Sequence, residues 1–225
     1  MKLSELLSVA GKPLWRDKVG CSTFHSQTER AIKIMDDPMI VDIDTNMLDK
    51  YVEVLETLKS HKGKPLTGTT INRNVSVIST LLGYARKRNW IDKLPYFPRK
   101  TESPHRVRWL APAEETAVFN AIETAKYLIA RKHREEMKAV VRILIDTGMR
   151  RGEVLGLTKD NLDGKWVRLW KTKTGKARSV PLTPEAQRLL EEHVPFEIKP
   201  WQVHRLWAKV REDIGLEKDE QFVLH

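Results

Sequence analysis

Apolar residues recur at the spacing of an α-helix along most of this chain, and they alternate with polar residues in one region only. The segment "KHREEMKAVVRILIDTG" has the helical spacing, and Gly148 is a typical helix stop. The segments "KWVRLWKTK" and "ARSVPL" alternate around the turn residues "TGK", which is typical of a β-hairpin. The pattern predicts a mainly α-helical fold with a small antiparallel β-hairpin or sheet, of the α+β class.

A basic stretch with three prolines and no periodicity divides this pattern at residues 93–110, and we interpret it as an interdomain linker. Residues 24–92 before it are predicted to form a small helical bundle, with Ser26 capping its first helix. Residues 111–225 are predicted to form a second domain. Residues 1–23 show no clean period and are predicted to be a lead-in.

The positive charge is concentrated in one part of the chain. The net charge is +10, and the segment 59–108 holds twelve lysines and arginines against two acids, so the remainder is near neutral. Such a basic stretch is typical of a protein that binds a polyanion, most often nucleic acid. A solvated basic surface without a partner is the alternative. The candidate DNA-contacting cations are Lys62, Lys64, Arg73, Arg86, Lys87, Arg88, Arg106 and Arg108.

Several classes of protein find no support in the sequence. It has no apolar run long enough to span a membrane, no secretory leader, and one cysteine, Cys21, which suits a reducing cytoplasm. The seven histidines show no metal-binding spacing, and GxSxG, Walker and GxGxxG motifs are absent. We therefore expect no metal and no cofactor.

Two short motifs could carry chemistry. "TGMRRGEVLGL" places Glu153 three residues after Arg150, so that the acid can orient the guanidinium. The hairpin "WKTKTGKARSVPL" presents several lysines near its turn. Taken singly, the first is also typical of a surface ion pair and the second of a charged, exposed strand edge.

Taken in order, these motifs resemble the tyrosine recombinase (phage integrase) family. "LIDTGMRRGEVLGL" resembles its first arginine box, "KTKTGKARSVPLT" its lysine hairpin, and "FVLH" the start of its His-x-x-Arg box. "TTINRNVSVISTLLGYARKRNWI" is similar to the last helix of the family's core-binding domain. The resemblance covers residues 26–225. It implies that residues 24–92 form the DNA-binding, core-binding domain and that residues 111–225 form a catalytic domain that lacks its C-terminal part.

The resemblance implies a role for each matching residue. Arg150 would bind the scissile phosphate, Glu153 would support it, and His225 would be the first histidine of the His-x-x-Arg box. Lys173 would protonate the leaving 5′-oxygen, with Lys171 and Lys176 as the alternatives for this lysine. A planar arginine fork suits the non-bridging oxygens of a phosphodiester, and a lysine suits proton donation to the leaving group. The complete enzyme would cleave and rejoin DNA through a 3′-phosphotyrosine to integrate phage or viral DNA.

The second arginine and the nucleophilic tyrosine of the family have no match in this chain, because they lie beyond the His-x-x-Arg histidine. We therefore expect the chain to bind duplex DNA as a clamp, through attachment or core sites, without cleaving it. A naturally truncated, non-catalytic DNA-binding protein is the alternative, and the reading frame after His225 discriminates the two. The resemblance further implies a tetramer on DNA for the complete protein and a location at the nucleoid in the cytoplasm of a bacterial host.

Overall fold

The computed structural model describes residues 1–16, 20–61, 63–102, 108–125, 131–170 and 176–224, with only the backbone of residues 131 and 132. The chain divides into two units, Met1–His105 and Arg106–His225. Helices account for 59% of the structure, and a three-stranded antiparallel sheet accompanies them. The predicted fold class is confirmed.

The described residues of the first unit form the helices α1 (Leu3–Trp15), α2 (Cys21–Met35), α3 (Thr45–Thr57) and α4 (Gly68–Arg86). Apolar residues at helical spacing on α3 and α4 face the shared core, as their periodicity predicts. These include Leu48, Tyr51, Val52 and Leu55 on α3, and Ile71, Val75, Ile78, Leu82 and Ala85 on α4. Side chains cap both helices, because Asp44 accepts from the Met47 amide and Thr67 from the Thr70 amide.

Two predictions about the N-terminal region are wrong. The expected lead-in contains α1, which places Leu3, Leu6, Ala10 and Trp15 in the core of the first unit. The next helix begins at Cys21, so the hydroxyl of Ser26 lies within α2 and donates to the Ser22 carbonyl (3.0 Å) instead of capping it. Gly11 and Pro13 lower the helix propensity of α1, so the helix depends on burial of its apolar side for its stability.

The second unit contains helices α5 (Pro112–Thr124), α6 (Arg131–Thr147), α7 (Arg151–Leu155), α8 (Pro184–His193) and α9 (Pro200–Asp213). Strands β1 (Leu162–Asp163), β2 (Trp166–Leu169) and β3 (Arg178–Pro181) lie in that order in the sheet, with Leu169 opposite Arg178. Val167, Leu169 and Val180 face a core that α6, α8 and α9 complete.

Part of the predicted linker packs against the first unit. The Asn72 side chain, on α4, accepts from the Lys100 amide (2.8 Å) and donates to the Lys100 carbonyl (2.9 Å). A Cβ on Gly68 would lie 2.2 Å from the Thr101 carbonyl oxygen, so only glycine permits this close approach. Residues 99–102 are therefore fixed along α4 rather than forming a free connection.

Candidate functional site

A sharp turn after α6 presents the predicted arginine. Gly148 has φ +62, a left-handed conformation that ends the helix, and the next residue, Met149, is buried in the core. Arg150 then serves as the N-cap residue of α7, and its side chain is 52% exposed. The turn thus anchors the backbone in the core while the guanidinium projects outward.

The carboxylate of Glu153 joins two arginines. It accepts hydrogen bonds from the Arg150 amide (2.9 Å) and from Nη1 of Arg150 (3.0 Å). Its oxygens also accept from Nη1 (3.0 Å) and Nη2 (2.7 Å) of Arg178, at the start of β3. The local pair was predicted from the sequence, whereas the pairing with Arg178 was not.

Both arginines keep Glu153 ionised. Burial alone would raise the pKa of this carboxyl, but hydrogen bonds from Arg178 and Arg150 outweigh that effect and hold the pKa at about 2. At neutral pH the group therefore contains two guanidinium charges and one carboxylate. The excess of one positive charge suits an anionic ligand.

A cleft of about 760 Å³ opens beside Arg150 and Arg178. Its other walls include the apolar side chains of Ile145, Trp207 and Phe222. The exposed guanidinium of Arg150 at the edge of a partly apolar cleft can bind phosphate oxygens in an environment that strengthens charge interactions. The arrangement is chemically suited to stabilising negative charge on a phosphodiester.

Arg108 is engaged within the second unit, although it was a candidate DNA contact. Its Nη1 (2.8 Å) and Nη2 (2.6 Å) donate to Glu114, and its Nε donates to Asp219 (2.9 Å). The guanidinium also lies over the ring of Phe222, 4.9 Å from the centroid. These contacts hold the segment around residues 219–222 against the start of α5, so little of this fork remains for a phosphate.

Several predicted site residues lie outside the described residues, namely Lys62, Arg106, Lys173 and His225. The strands on either side of Lys173 are described, and their antiparallel pairing from Trp166–Pro181 to Leu169–Arg178 confirms that these two strands pair as predicted. Lys64 lies in the loop between α3 and α4, where its carbonyl accepts from the Ser60 amide. Their roles stay predictions.

The polar side of α4 forms a basic surface in the first unit. Arg73 and Lys87 are fourteen residues apart, so they lie on about the same side of the helical path and are separated by about 21 Å. Both side chains are exposed, and Ser76 and Thr80 lie between them. The helix contains no aspartate or glutamate. This α4 basic face is thus a continuous polar surface with cations at both ends.

The end of α4 adds three exposed cations, Arg86, Lys87 and Arg88. The guanidinium carbon of Arg88 lies 3.4 Å from the centroid of the Tyr84 ring and 5.9 Å from that of Trp90. A cation–π contact with an aromatic face orients the side chain without neutralising its charge. The cluster therefore presents cations to solvent beside an aromatic pair.

Arg99 is a further cation on this surface, and it was missing from the predicted DNA contacts. Its Nη1 donates to the Asn72 carbonyl (2.9 Å) and to the Ser76 hydroxyl (2.6 Å). The residue is exposed and its hydrogen-bond partners are uncharged oxygens, while the charges of Arg99 and Arg73 both interact with the Glu102 carboxylate. By contrast, the neighbouring Lys100 pairs with Glu56 (2.7 Å).

The three described tyrosines, Tyr51, Tyr84 and Tyr96, all belong to the first unit, whereas Arg150 belongs to the second. Tyr51 is 1% exposed, and its burial raises the pKa of the phenol well above the usual range. Tyr127 lies outside the described residues. None of the described tyrosines thus matches a nucleophile placed beside Arg150 within the same unit.

The described part of the chain contains no group of three or more histidine, cysteine, aspartate or glutamate residues placed to hold a metal ion. In the same residues, none of the helices combines the length and the apolar character needed to cross a membrane.

Two family models match the chain, the phage integrase SAM-like domain over residues 22–102 and the phage integrase family over residues 108–204. The shufflon-specific DNA recombinase of Escherichia coli is 28% identical over 168 residues, which cover 72% of this chain and 40% of that protein. The integrase of Salmonella phage P22 is 30% identical over 139 residues, 59% of this chain and 33% of that protein. The chain thus spans less than half of the length of these relatives.

Solved structures with the same fold include lambda integrase and the Tn1549 transposon integrase. A lambda integrase dimer bound to a COC′ core site superposes with a TM-score of 0.68 at 15% identity, over 96% of this chain and 80% of that one. A lambda integrase tetramer bound to a Holliday junction gives 0.66 at 17% identity, over 96% and 67%. The Tn1549 integrase in complex with circular intermediate DNA gives 0.59 at 20% identity, over 89% and 67%.

One match covers most of the first unit and the other covers the second from Arg108 through α8, including the turn that presents Arg150. This chain belongs to the phage integrase family of tyrosine recombinases.

Proposed function

We propose that this chain is the DNA-binding and arginine-bearing part of a site-specific recombinase that integrates DNA, such as phage DNA. The observation that carries the proposal is the Glu153-centred pair of arginines at the edge of a cleft, in a chain of the phage integrase family. In this proposal Arg150 binds a non-bridging oxygen of the scissile phosphate and stabilises charge in the transition state.

The proton donor, a further phosphate contact and the nucleophile are assigned by the resemblance to the family. Lys173 protonates the leaving 5′-oxygen, and His225 contributes to binding of the same phosphate. A tyrosine of the complete protein forms the 3′-phosphotyrosine, which conserves the energy of the broken bond for rejoining. The complete protein acts as a tetramer, an assignment supported by the tetrameric lambda integrase that shares this fold.

For the DNA contacts, the α4 basic face and the cluster at its end are the main surface of the first unit. Arg73, Arg86, Lys87 and Arg88 remain in the set, and Arg99 joins it because it is exposed and its guanidinium donates to uncharged oxygens. Arg108 leaves the set because two carboxylates engage its guanidinium. Lys62, Lys64 and Arg106 stay candidate contacts.

The first test separates binding from cleavage. The 225-residue chain is incubated with a nicked suicide duplex that carries the cognate core site, and the mixture is run on native and denaturing gels. We expect a shifted complex on the native gel and no covalent adduct on the denaturing gel, because no described tyrosine belongs to the unit of Arg150.

An unexpected result on each gel would contradict a different part of the proposal. A covalent adduct would show that the chain holds its own nucleophile. Absence of any complex, at low salt and with a correctly folded chain, would contradict the DNA-binding function itself.

A further inference from the structure

We propose that Arg178 is a positioning residue that occupies Glu153, so that this carboxylate orients Arg150 without neutralising it. The inference rests on the proposed contact between Arg150 and the scissile phosphate. Arg178 itself acts through Glu153 and makes no contact with the DNA in this scheme.

The hydrogen bonds to Glu153 are unequal. Arg178 reaches both carboxylate oxygens, at 3.0 and 2.7 Å, in the bidentate arrangement that gives the strongest arginine–carboxylate pairs. The side chain of Arg150 makes a single bond of 3.0 Å, and its backbone amide makes the other. Glu153 is thus bound mainly to Arg178.

The exposure of the two arginines follows the same division. The side chain of Arg178 is 36% exposed and that of Arg150 is 52% exposed, while Glu153 is 10% exposed. Since Arg178 uses both terminal nitrogens on Glu153, Arg150 retains more unused donors for a phosphate.

The sheet explains why Arg178 reaches inward. Side chains alternate along β3, and Arg178 is two residues before the buried Val180, so both lie on the side of the sheet that faces the core. Ser179, between them, is exposed. An arginine at the start of β3 on this side meets Glu153 of α7, 25 residues earlier in the chain.

Charge balance gives this contact a consequence for Arg150. Without Arg178, Glu153 would have one cationic partner, and a bidentate pair with Arg150 would become the most favourable arrangement. That pair would cancel the charge and occupy the donors that a phosphate needs. With Arg178 present, one positive charge remains on the group and Arg150 carries it to the edge of the cleft.

The test uses dimethyl phosphate, a diester monoanion, as the probe of Arg150. Its binding is followed through the Nε resonance of Arg150 in ¹⁵N-labelled protein, assigned by comparison with Arg150→Lys. We expect Arg178→Gln to weaken binding roughly threefold or more, as expected for residues in one hydrogen-bonded network. The affinity of Arg178→Lys for dimethyl phosphate should lie between those of the wild type and Arg178→Gln, because lysine keeps the charge but donates from one nitrogen.

A matched control and a second background isolate the route of the effect. Arg168→Gln removes an arginine of the neighbouring strand that pairs with Asp163 and not with Glu153, and it should leave dimethyl phosphate binding unchanged. In a Glu153→Gln background, Arg178→Gln should change binding less than about twofold, because the residue through which Arg178 acts has lost its charge. Thermal unfolding confirms that each variant is folded.

Three results would overturn the inference. An equal loss in both backgrounds would mean that Arg178 binds the anion directly, and no loss in Arg178→Gln and Arg178→Lys would mean that it has no such role. The third result is that dimethyl phosphate leaves the Nε resonance of Arg150 unperturbed in the wild-type chain, which would mean that Arg150 does not bind the anion. Duplex binding is measured in parallel: if it is intact, any of these results counts against this inference alone, whereas its absence counts against the proposed function.

Discussion

Glu153 shows how much of a site a sequence can reveal at the scale of single residues. Its pairing with Arg150 was predictable because residues three apart at a helix start are neighbours. Its pairing with Arg178 was not, because that contact depends on how β3 packs near α7. The available signal was the alternation in "ARSVPL", which places Arg178 on the same side as the apolar Val180.

The low pKa of Glu153 predicts a pH dependence of stability. The folded pKa of about 2 lies below the ordinary value of 4.5, so the carboxylate stabilises the fold above pH 4.5 and this contribution is lost as the pH falls toward 2. We expect Glu153→Gln to lower the free energy of unfolding at neutral pH and to match the wild type more closely near pH 3. Urea denaturation at several pH values measures both.

The comparison with Glu153→Gln also cancels the pH dependence that other carboxyl groups contribute to both proteins. Glu114 has a pKa of about 2 as well, through hydrogen bonds from Arg108 and the Ala111 amide, and it titrates in both proteins. A constant difference between the two proteins from neutral pH to pH 3 would show that Glu153 does not contribute through its charge.

At the scale of elements, strongly periodic helices were predicted well and polar contacts poorly. Helices α3, α4 and α9 bury the apolar stripes that their spacing indicates, and Gly148 ends α6 as expected. On α6 the spacing is only partly right, because Ile145 is exposed and Ile143 is buried instead. The packing of residues 99–102 along α4 was missed, because it depends on one polar side chain, Asn72. The position of an asparagine in a helical sequence gives no indication of its partner.

The cluster at the end of α4 is predicted to bind DNA without regard to sequence. The triple change Arg86→Ala, Lys87→Ala and Arg88→Ala should weaken binding to specific and unrelated duplexes by similar factors, because phosphate contacts carry no base information. Arg150→Ala should lower affinity less than the triple change. Fluorescence anisotropy with both duplexes measures these differences.

A control for the triple change comes from the same unit. Lys12, Lys33 and Lys50 are exposed cations on α1, α2 and α3, and their replacement by alanine removes the same charge. Equal losses in the two triple variants would indicate a response to net charge alone and would contradict a specific role for the end of α4.

At the scale of the whole molecule, the sequence indicated two units and concentrated basic charge in one region. The structure divides the chain at residues 105 and 106, and it assigns residues 99–102 to contacts within the first unit. Counting charges overstates the cationic surface, because Lys100 and Arg108 pair with carboxylates inside their own units. Sequence composition could not distinguish paired from unpaired cations.

Duplex binding by the intact chain is predicted to depend steeply on salt. A protein that neutralises about 6–10 phosphates loses roughly 10³–10⁵ in affinity between 50 and 200 mM salt, because bound counterions are released. For the wild type we expect the logarithm of the binding constant to fall linearly with the logarithm of the salt concentration, with a slope that corresponds to about 6–10 phosphates. For Arg73→Ala the slope should be smaller by about one. Titrations at four salt concentrations give the slope.

Arg108→Ala serves as the control, since its guanidinium is paired with Glu114 and Asp219. Its salt slope should equal that of the wild type once folding has been confirmed by circular dichroism. A shallow slope for the wild type would contradict a phosphate-dominated interface.

The stacking of Arg88 on Tyr84 also has an entropic consequence. A free arginine side chain loses up to about 2 kcal/mol of rotamer freedom when it is ordered. On the Tyr84 ring, much of that ordering has already occurred when the protein folds. Arg88 therefore enters a DNA complex already ordered, whereas its neighbour Lys87 must still give up its freedom on binding.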